Sequence, residues 1–574
     1  MIDEFTEAWD ELTAPGAQFA MNEIQVRGAP MRVFESAPPS MRFVWELARG
    51  YGDADYIVYE DERYTYAEAD AIIRSLAAWL YDEQGVRPGD RVAVAMRNYP
   101  EWVLSYWAVV SLGAAVVGMN AWWTSEEMAY GLADSRPKVL IADRERVERV
   151  LPILDELRSG DDPLPLFVLS VRYDGDLPSD AARWDDVIDP ATAPADLPAA
   201  EIDPDDDACI FYTSGTTGFP KGAQLTHRGS VHNLLNLSFM NAVATAAAAK
   251  AGGGPSEDAP APASQNVFML PTPLFHVTAN NCLMHPATIS GSRIVLTYKW
   301  DPGRALELIE REGVTNFSGV PTMSRELLTH PDWESRDTST LLGMGGGGAP
   351  LQPDLVDKID KSLSGGAPST GYGLTETHGI TTANSGALYV AKPASCGRIV
   401  PTLDAKLIDE IGGEVTDGGT GELCVRGSVV IKGYLNREEA TAEAIQDGWF
   451  RTGDIARIDE DGFVYIVDRA KDMVLRGGEN VYCSEVEAAI YRNDDVAEAA
   501  VFGVPDDRLG EIVAAAIVPK PGASIDEGAL VEELRNQIAA FKVPERIWIL
   551  DEPLPRNANG KFVKRQLRDD LLSV

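Results

Sequence analysis

Between about Tyr56 and Asp143, short apolar runs alternate with longer stretches whose apolar positions recur at helical spacing. Arg91–Met96 (RVAVAM) predicts a strand, Glu101–Leu112 an aromatic-rich helix, Ala114–Gly118 a second strand and Val139–Ala142 a third. This is the rhythm of a mostly parallel α/β layer. It resumes with buried strands predicted at Val267–Leu270, Arg293–Thr297 and Val314–Val320, and a crossover helix over Pro302–Glu312 with proline in its first turn. Between the two stretches, Ala208–Phe211 looks like the end of another buried strand, and Arg228–Met240 predicts a helix.

From Gly397 the texture becomes β-rich with glycine turns (EIGGEVTDGGTGELCVRG), which suggests a compact antiparallel subdomain over about 397–468. After Arg469 it changes again. A helix is predicted over Ser484–Asn493, strands over Ala497–Val504 and Ile512–Val518, and a helix over Asp526–Phe541. The fold class expected is therefore α/β: a large N-terminal domain, residues 1–470, and a small α+β C-terminal domain, residues 471–574. Thr245–Ser264 is low in complexity and is expected to be a surface loop without chemistry.

The 574 residues suffice for a large core and more than one domain. With 50 Lys+Arg against 89 Asp+Glu the net charge is −39, a surface that repels nucleic acid and anionic lipid. No apolar run is long enough to span a bilayer, and the acidic start MIDEFTEAWDELTAP is unlike a signal peptide. The expected location is cytoplasmic. Cys209, Cys282, Cys396, Cys424 and Cys483 form no CxxC pair, and the six histidines form no HExxH.

The richest segment is Tyr212–Gly222, YTSGTTGFPKG. Three threonines, one serine and three glycines crowd one loop directly after an apolar run. Glycines let the backbone turn its N–H groups toward a ligand, and the hydroxyls of Thr213, Ser214, Thr216 and Thr217 add donors. Such a loop suits a polyphosphate. It is not a Walker loop, because Lys221 is followed by Gly222 rather than Ser or Thr.

Four further segments follow in order: STGYGLTET (Ser369–Thr377), RTGDIA (Arg451–Ala456), DRAKDMVLRGGENVYCSEVE (Asp468–Glu487) and PRNANGKFVK (Pro555–Lys564). Each is weak alone; all five in sequence are a strong signal. Over nearly its whole length the chain resembles the superfamily of adenylate-forming enzymes, which includes acyl-CoA synthetases, peptide-synthetase adenylation domains and firefly-type luciferases. The resemblance implies a large N-terminal domain and a small, mobile C-terminal domain joined by a hinge. It also implies two half-reactions: a carboxylate attacks the α-phosphate of ATP to give an acyl-adenylate and pyrophosphate, and a thiol, usually of coenzyme A, displaces AMP.

The resemblance assigns residues. Thr213, Ser214, Gly215, Thr216, Thr217 and Gly218 would hold the β- and γ-phosphates, with Lys221 nearby. Glu376 looks like the carboxylate that binds Mg²⁺, Thr375 the α-phosphate contact and Tyr372 the adenine platform, between Gly371 and Gly373. Asp454 would take the ribose hydroxyls together with Arg469, and Lys471 occupies the hinge position. Lys561, preceded by Gly560, would bridge the incoming carboxylate and the α-phosphate, where negative charge gathers. Gly477 and Gly478 leave room for pantetheine. His276 matches a position beside the acyl channel, or is a satisfied core histidine. Gly345–Pro350, with Gly348, Ala349 and Pro350, and Val320–Met323 match segments flanking adenine and acyl pocket. A proline commonly sits where this chain has Cys483, a thiol either reactive or inert.

The expectation is an ATP-dependent acyl-CoA synthetase using ATP, Mg²⁺ and coenzyme A, whose small-molecule carboxylic acid is hydrophobic, a medium- or long-chain fatty acid or a bulky aryl acid. A homodimer is left open. The rivals are a stand-alone adenylation enzyme, a luciferase-type oxygenase and a non-catalytic nucleotide binder. A peptide-synthetase module is expected to carry a carrier domain, and the chain ends at Val574 soon after Lys561. Retention of both Glu376 and Lys561 argues against a binder.

Overall fold

The computed structural model describes the chain except residues 160–161, 214–219, 253–264, 349–350, 410, 417, 478, 507, 558–560 and 574. Ser214, Gly215, Thr216, Thr217, Gly218, Ala349, Pro350, Gly478 and Gly560 therefore lie outside the described residues. Packing divides the chain into two units. The first comprises Met1–Pro393, Gly397–Asp404 and Val425–Phe450; the second comprises Ala394–Cys396, Ala405–Cys424 and Arg451–Val574.

Besides a two-stranded ribbon of Met21–Val26 and Ala29–Phe34, two larger sheets build the first unit. One contains β1 (Arg91–Ala95), β2 (Ala115–Gly118), β3 (Val139–Asp143), β4 (Phe167–Val171), β5 (Ala181–Arg183), β6 (Asp207–Thr213) and β7 (Lys221–Thr226), in the order β7-β6-β2-β1-β3-β4-β5. All neighbours are parallel except the pair β6–β7. Because β2 and β3 flank β1, successive crossovers run to opposite sides, and the carboxyl ends of these strands open where such sheets place ligands. The helix between β1 and β2, α1 (Pro100–Ser111), starts on proline, and every one of its residues is buried. Its Trp102, Tyr106 and Trp107 are fully enclosed, at about 2–3 kcal/mol each for removal from water.

The other sheet contains β8 (Val267–Leu270), β9 (Arg293–Leu296), β10 (Asn316–Gly319), β11 (Gly343–Gly347) and β12 (Ala367–Tyr372), mutually parallel in the order β9-β8-β10-β11-β12. Antiparallel β13 (Thr382–Ser385) extends it. The predicted crossover helix Pro302–Glu312 is found with those bounds, because Asp301 caps it through Arg304 N at 2.8 Å and Gly313, at φ +63°, ends it.

Two expectations need correction. The helix predicted to end at Met240 is α2 (His227–Lys250), so residues 245–250 are helical rather than loop. Alanine repeats read as low complexity, yet alanine has the highest helix propensity. Residues 253–264 of the same predicted loop lie outside the described residues.

The longest stretch of the second unit, Arg451–Val574, starts within β14 (Trp449–Ile458). This strand pairs antiparallel with β15 (Phe463–Arg469). The hairpin β16 (Val474–Arg476) and β17 (Glu479–Val481) follows, then α3 (Cys483–Ile490), β18 (Val496–Asp506), β19 (Gly510–Pro519), α4 (Glu527–Arg535), β20 (Arg546–Ile549) and α5 (Lys564–Leu572). The long pair β18–β19 forms the centre, with β20 parallel to β19. The second correction falls here: the helix expected over Asp526–Phe541 stops at Arg535, and only a short 3₁₀ turn, Ala540–Lys542, follows. The whole is a mixed α/β fold with parallel sheets and a small C-terminal domain. Among the described residues no helix is long and apolar enough to cross a membrane.

Candidate active site

The hydroxyl-rich loop leaves β6 at Thr213 and rejoins β7 at Lys221, and these two residues face each other in register. The base of the loop is clasped by side chains. Tyr212 donates to Asp134 Oδ2 at 2.9 Å, Tyr130 donates to the carbonyl of Pro220 at 2.8 Å, and Arg437 pairs with Asp134 at 3.1 Å. The loop ends are therefore set by a main-chain ladder and three side-chain ties.

STGYGLTET runs along β12 and then folds back. A Cβ on Gly373 would lie 2.2 Å from the carbonyl oxygen of Gly379, so only glycine permits that return. Leu374 N bonds to Thr377 Oγ1 at 3.0 Å, closing a 3₁₀ turn over Thr375–Thr377 that carries Glu376. His378 follows at φ +56°. Its Nε2 accepts from Thr226 N at 2.9 Å and its Nδ1 donates to the carbonyl of Val429 at 2.7 Å. Burial lowers its pKa to about 3, so the ring is a neutral bridge. A Cβ on Gly229 would meet that ring at 2.1 Å, so α2 carries glycine where the ring passes.

Glu376 is joined to the loop base through a residue that no motif pointed to. Tyr434 donates to Glu376 Oε1 at 2.9 Å, and Lys221 Nζ sits 5.2 Å from the centroid of the Tyr434 ring. Thr213, Lys221 and Glu376 are thus brought into one neighbourhood.

His276 lies in a segment anchored by buried Asn98, which donates to the carbonyl of Thr272 at 2.8 Å and accepts from Leu274 N at 2.9 Å. The His276 ring packs on Phe275 at 4.6 Å, and Phe275 meets exposed Trp122 edge-on at 5.5 Å. Gly347, in register with Gly371, would bring a Cβ within 4.0 Å of Thr278 Cγ2, so this segment borders the end of β11. Gly348 follows at φ +78°. Val320 is buried. The His276 carbonyl accepts from Asn280 N at 3.0 Å, and Asn280, Asn281 and His285 are fully buried on the π-helical turn Asn280–Met284 and just beyond it.

The remaining candidates belong to the second unit. Asp454 and Arg469 are cross-strand partners on β14 and β15, paired at 3.1 Å, with the carboxylate buried and the guanidinium 44% exposed. Gly453, at φ +70°, precedes Asp454, and its carbonyl accepts from Ala470 N. Lys471 follows directly, its pKa lowered by burial and by Arg469. Asp468 accepts from the N–H groups of Arg469 and Cys483, and the Cys483 thiol donates to the carbonyl of Asp472 at 3.0 Å. Burial pushes that thiol far above its ordinary range, which makes it inert rather than reactive. Lys564 pairs with Glu487 at 2.7 Å beside this cluster. Gly477 adopts φ +61° between β16 and β17. Lys561 is tied to Asn557: its N–H donates to Asn557 Oδ1 at 3.1 Å and its carbonyl accepts from Asn557 N at 2.9 Å.

Comparison with known proteins places this geometry. The profile of the AMP-binding enzyme family matches residues 44–435, and that of the AMP-binding enzyme C-terminal domain matches residues 485–561. A feruloyl-CoA synthase from Amycolatopsis sp is 38% identical over 508 residues, covering 88% of this chain and 93% of the relative. A long-chain-fatty-acid–CoA ligase from Bacillus subtilis (strain 168) is 33% identical over 547 residues, covering 92% and 93%. Among solved structures, ATP-bound MatB from Rhodopseudomonas palustris superposes with a TM-score of 0.76 at 30% identity, covering 92% of this chain and 98% of that one.

Proposed function

This chain belongs to the AMP-binding enzyme family, and from that premise we propose that it is an ATP-dependent acyl-CoA synthetase for a hydrophobic carboxylic acid, first of all a medium- or long-chain fatty acid. The acid's carboxylate oxygen attacks the α-phosphorus of ATP, the bond to the bridging oxygen breaks and pyrophosphate leaves. The thiol of coenzyme A then attacks the acyl carbon, and AMP leaves. One observation carries the reading: Lys221, in register with Thr213 at the loop base, and Glu376 both meet Tyr434.

In this reading Thr213 and the loop to Gly218, with Lys221, hold the β- and γ-phosphates. Tyr372, flanked by Gly371 and Gly373, and the Gly348–Pro350 segment receive adenine; Thr375 meets the α-phosphate. Asp454 and Arg469 hold the ribose, and Lys561 balances charge at the α-phosphorus. Lys471 is the hinge between domains 1–470 and 471–574, Gly477 and Gly478 pass pantetheine, and His276 gates the acid. Among the described residues no three His, Cys, Asp or Glu gather as a metal cluster. Mg²⁺ takes one or two carboxylates plus phosphate oxygens, and Glu376 is the carboxylate that would hold it. Bound there, the ion would supply charge neutralisation to the triphosphate.

Likeness to the long-chain-fatty-acid–CoA ligase of Bacillus subtilis favours a fatty acid. The aromatic pair Phe275–Trp122 beside His276, and likeness to the feruloyl-CoA synthase of Amycolatopsis, favour the second reading, an aryl acid. We place the enzyme in the cytoplasm, as its dispersed thiols suit; size-exclusion chromatography would distinguish monomer from homodimer. The function is tested by offering the protein ATP, Mg²⁺ and a panel of fatty and aryl acids. Pyrophosphate release, with thioester and AMP appearing on addition of coenzyme A, is expected. Adenylate that never passes to coenzyme A would instead make it a stand-alone adenylation enzyme, and no turnover of any acid would leave only a nucleotide binder.

A further inference from the structure

We propose that Tyr434 is a positioning residue for Glu376, its hydroxyl holding the carboxylate in the orientation that serves the nucleotide's divalent cation. The inference rests on the reading of Glu376 given above. A glutamate has three side-chain torsions, and on a half-buried turn a fixed donor at one oxygen restricts the rotamers it samples. Tyr434 is such a donor, at 2.9 Å from Oε1.

Its own position is set by main-chain bonds on both sides. Gln224 N donates to the carbonyl of Gly433 at 2.9 Å and Leu435 N to that of Gly222 at 2.8 Å, tying the segment to β7. Ile431 N donates to the carbonyl of Glu376 at 3.0 Å, tying the same segment to the 3₁₀ turn. Tyr434 N is closed by Thr441 Oγ1 at 2.9 Å. Lys221, the first residue of β7, lies over the ring, a favourable cation–π placement. The phenol therefore links the loop's rejoining strand to the carboxylate. Burial, and then Glu376 itself, raise the phenol's pKa, so it stays a donor throughout the neutral range.

Tyr434→Phe tests this, because it keeps the ring under Lys221 and deletes only the donor. A hydrogen bond to a charged group justifies a roughly tenfold effect. The Mg²⁺ concentration for half-maximal pyrophosphate release should rise about that much, while kcat at saturating Mg²⁺ changes by less than about threefold. Apart from turnover, Mn²⁺ binding to the enzyme–ATP complex, read by the electron paramagnetic resonance of free Mn²⁺, should weaken by a similar factor. In a Glu376→Gln background the added Tyr434→Phe should change neither quantity. A Tyr434→Phe protein with wild-type Mg²⁺ and Mn²⁺ dependence overturns the proposal, whatever happens to its melting temperature. If Glu376→Gln itself keeps the wild-type metal dependence, the reading of Glu376 falls and this inference with it; if only Tyr434→Phe is silent, this inference falls alone.

Discussion

Two candidate segments, the turn of Glu376 and the stretch around Lys471, are held in different ways. In the first unit, Glu376 sits on a turn whose carbonyl is bonded to a segment that is itself laddered to β7, so the site is fixed by main-chain register. In the second unit, the stretch around Lys471 has a few turn bonds of its main chain and, beyond them, bonds made by side chains: Asp468 takes the N–H of Cys483, the Cys483 thiol reaches Asp472, and Lys564 and Glu487 pair alongside. Ladder bonds separate only with loss of the sheet, whereas side-chain bonds can be exchanged singly. The first arrangement suits a fixed site, and the second suits the hinge proposed at Lys471.

The largest test asks whether the second unit's cation serves only one half-reaction. Lys561→Ala should lower acyl-adenylate formation by about 100- to 1,000-fold, the scale for removing one transition-state charge contact. Thioester formation from preformed acyl-adenylate should stay within about threefold. Parallel losses in rapid-quench measurements of the two steps would erase the contrast between a fixed and a moving site.

Next in size is Asp454→Asn. If the buried carboxylate faces the ribose, KM for ATP should rise about tenfold while KM for coenzyme A holds. An unchanged KM for ATP would reduce Asp454 to a structural partner of Arg469.

What was legible in the sequence follows the same division. Buried strands and the Asp301-capped, Pro302-started helix are local patterns, and they were found close to the predicted bounds. Tyr434, 58 residues from Glu376, and Asn98, 176 from Leu274, become partners only through sheet register, which one chain's periodicity does not encode. His378 directly follows the TET motif, yet its role depends on a positive φ and on space left by Gly229, neither visible in a string. The helix breaking at Arg535 was missed because Asn536, a weak helix former, was read through.

The third prediction sharpens the contrast with pH. Burial raises the Asp468 carboxyl to about 6, with Lys564 opposing. Folded protein then holds a proton that the unfolded chain, with an ordinary carboxyl near 4, has released. The group's stabilising contribution is full below about pH 4 and is lost as pH rises through about 6, on the order of 2 kcal/mol. Denaturant midpoints of wild type and Asp468→Asn should therefore diverge over that window, wild type losing relative ground as pH rises. Curves that stay parallel would remove Asp468 from the account.

The smallest expected effect is the most particular to this chain. Cys483 opens α3 at its first position, where proline is normally favoured because the N–H there has no helical partner. Here that N–H does have one, the buried carboxylate of Asp468. Cys483→Pro should thus cost stability where a helix argument alone predicts a gain. Loss of one donor to a buried carboxylate, set against the entropy proline removes from the unfolded chain, leaves a net destabilisation of about 1 kcal/mol. Cys483→Ser keeps the N–H and should fall between the two. A proline variant whose denaturation midpoint equals or exceeds that of wild type would mean that the segment around Lys471 does not depend on this bond. The contrast between a laddered first site and a side-chain-held second one would then lose its clearest support.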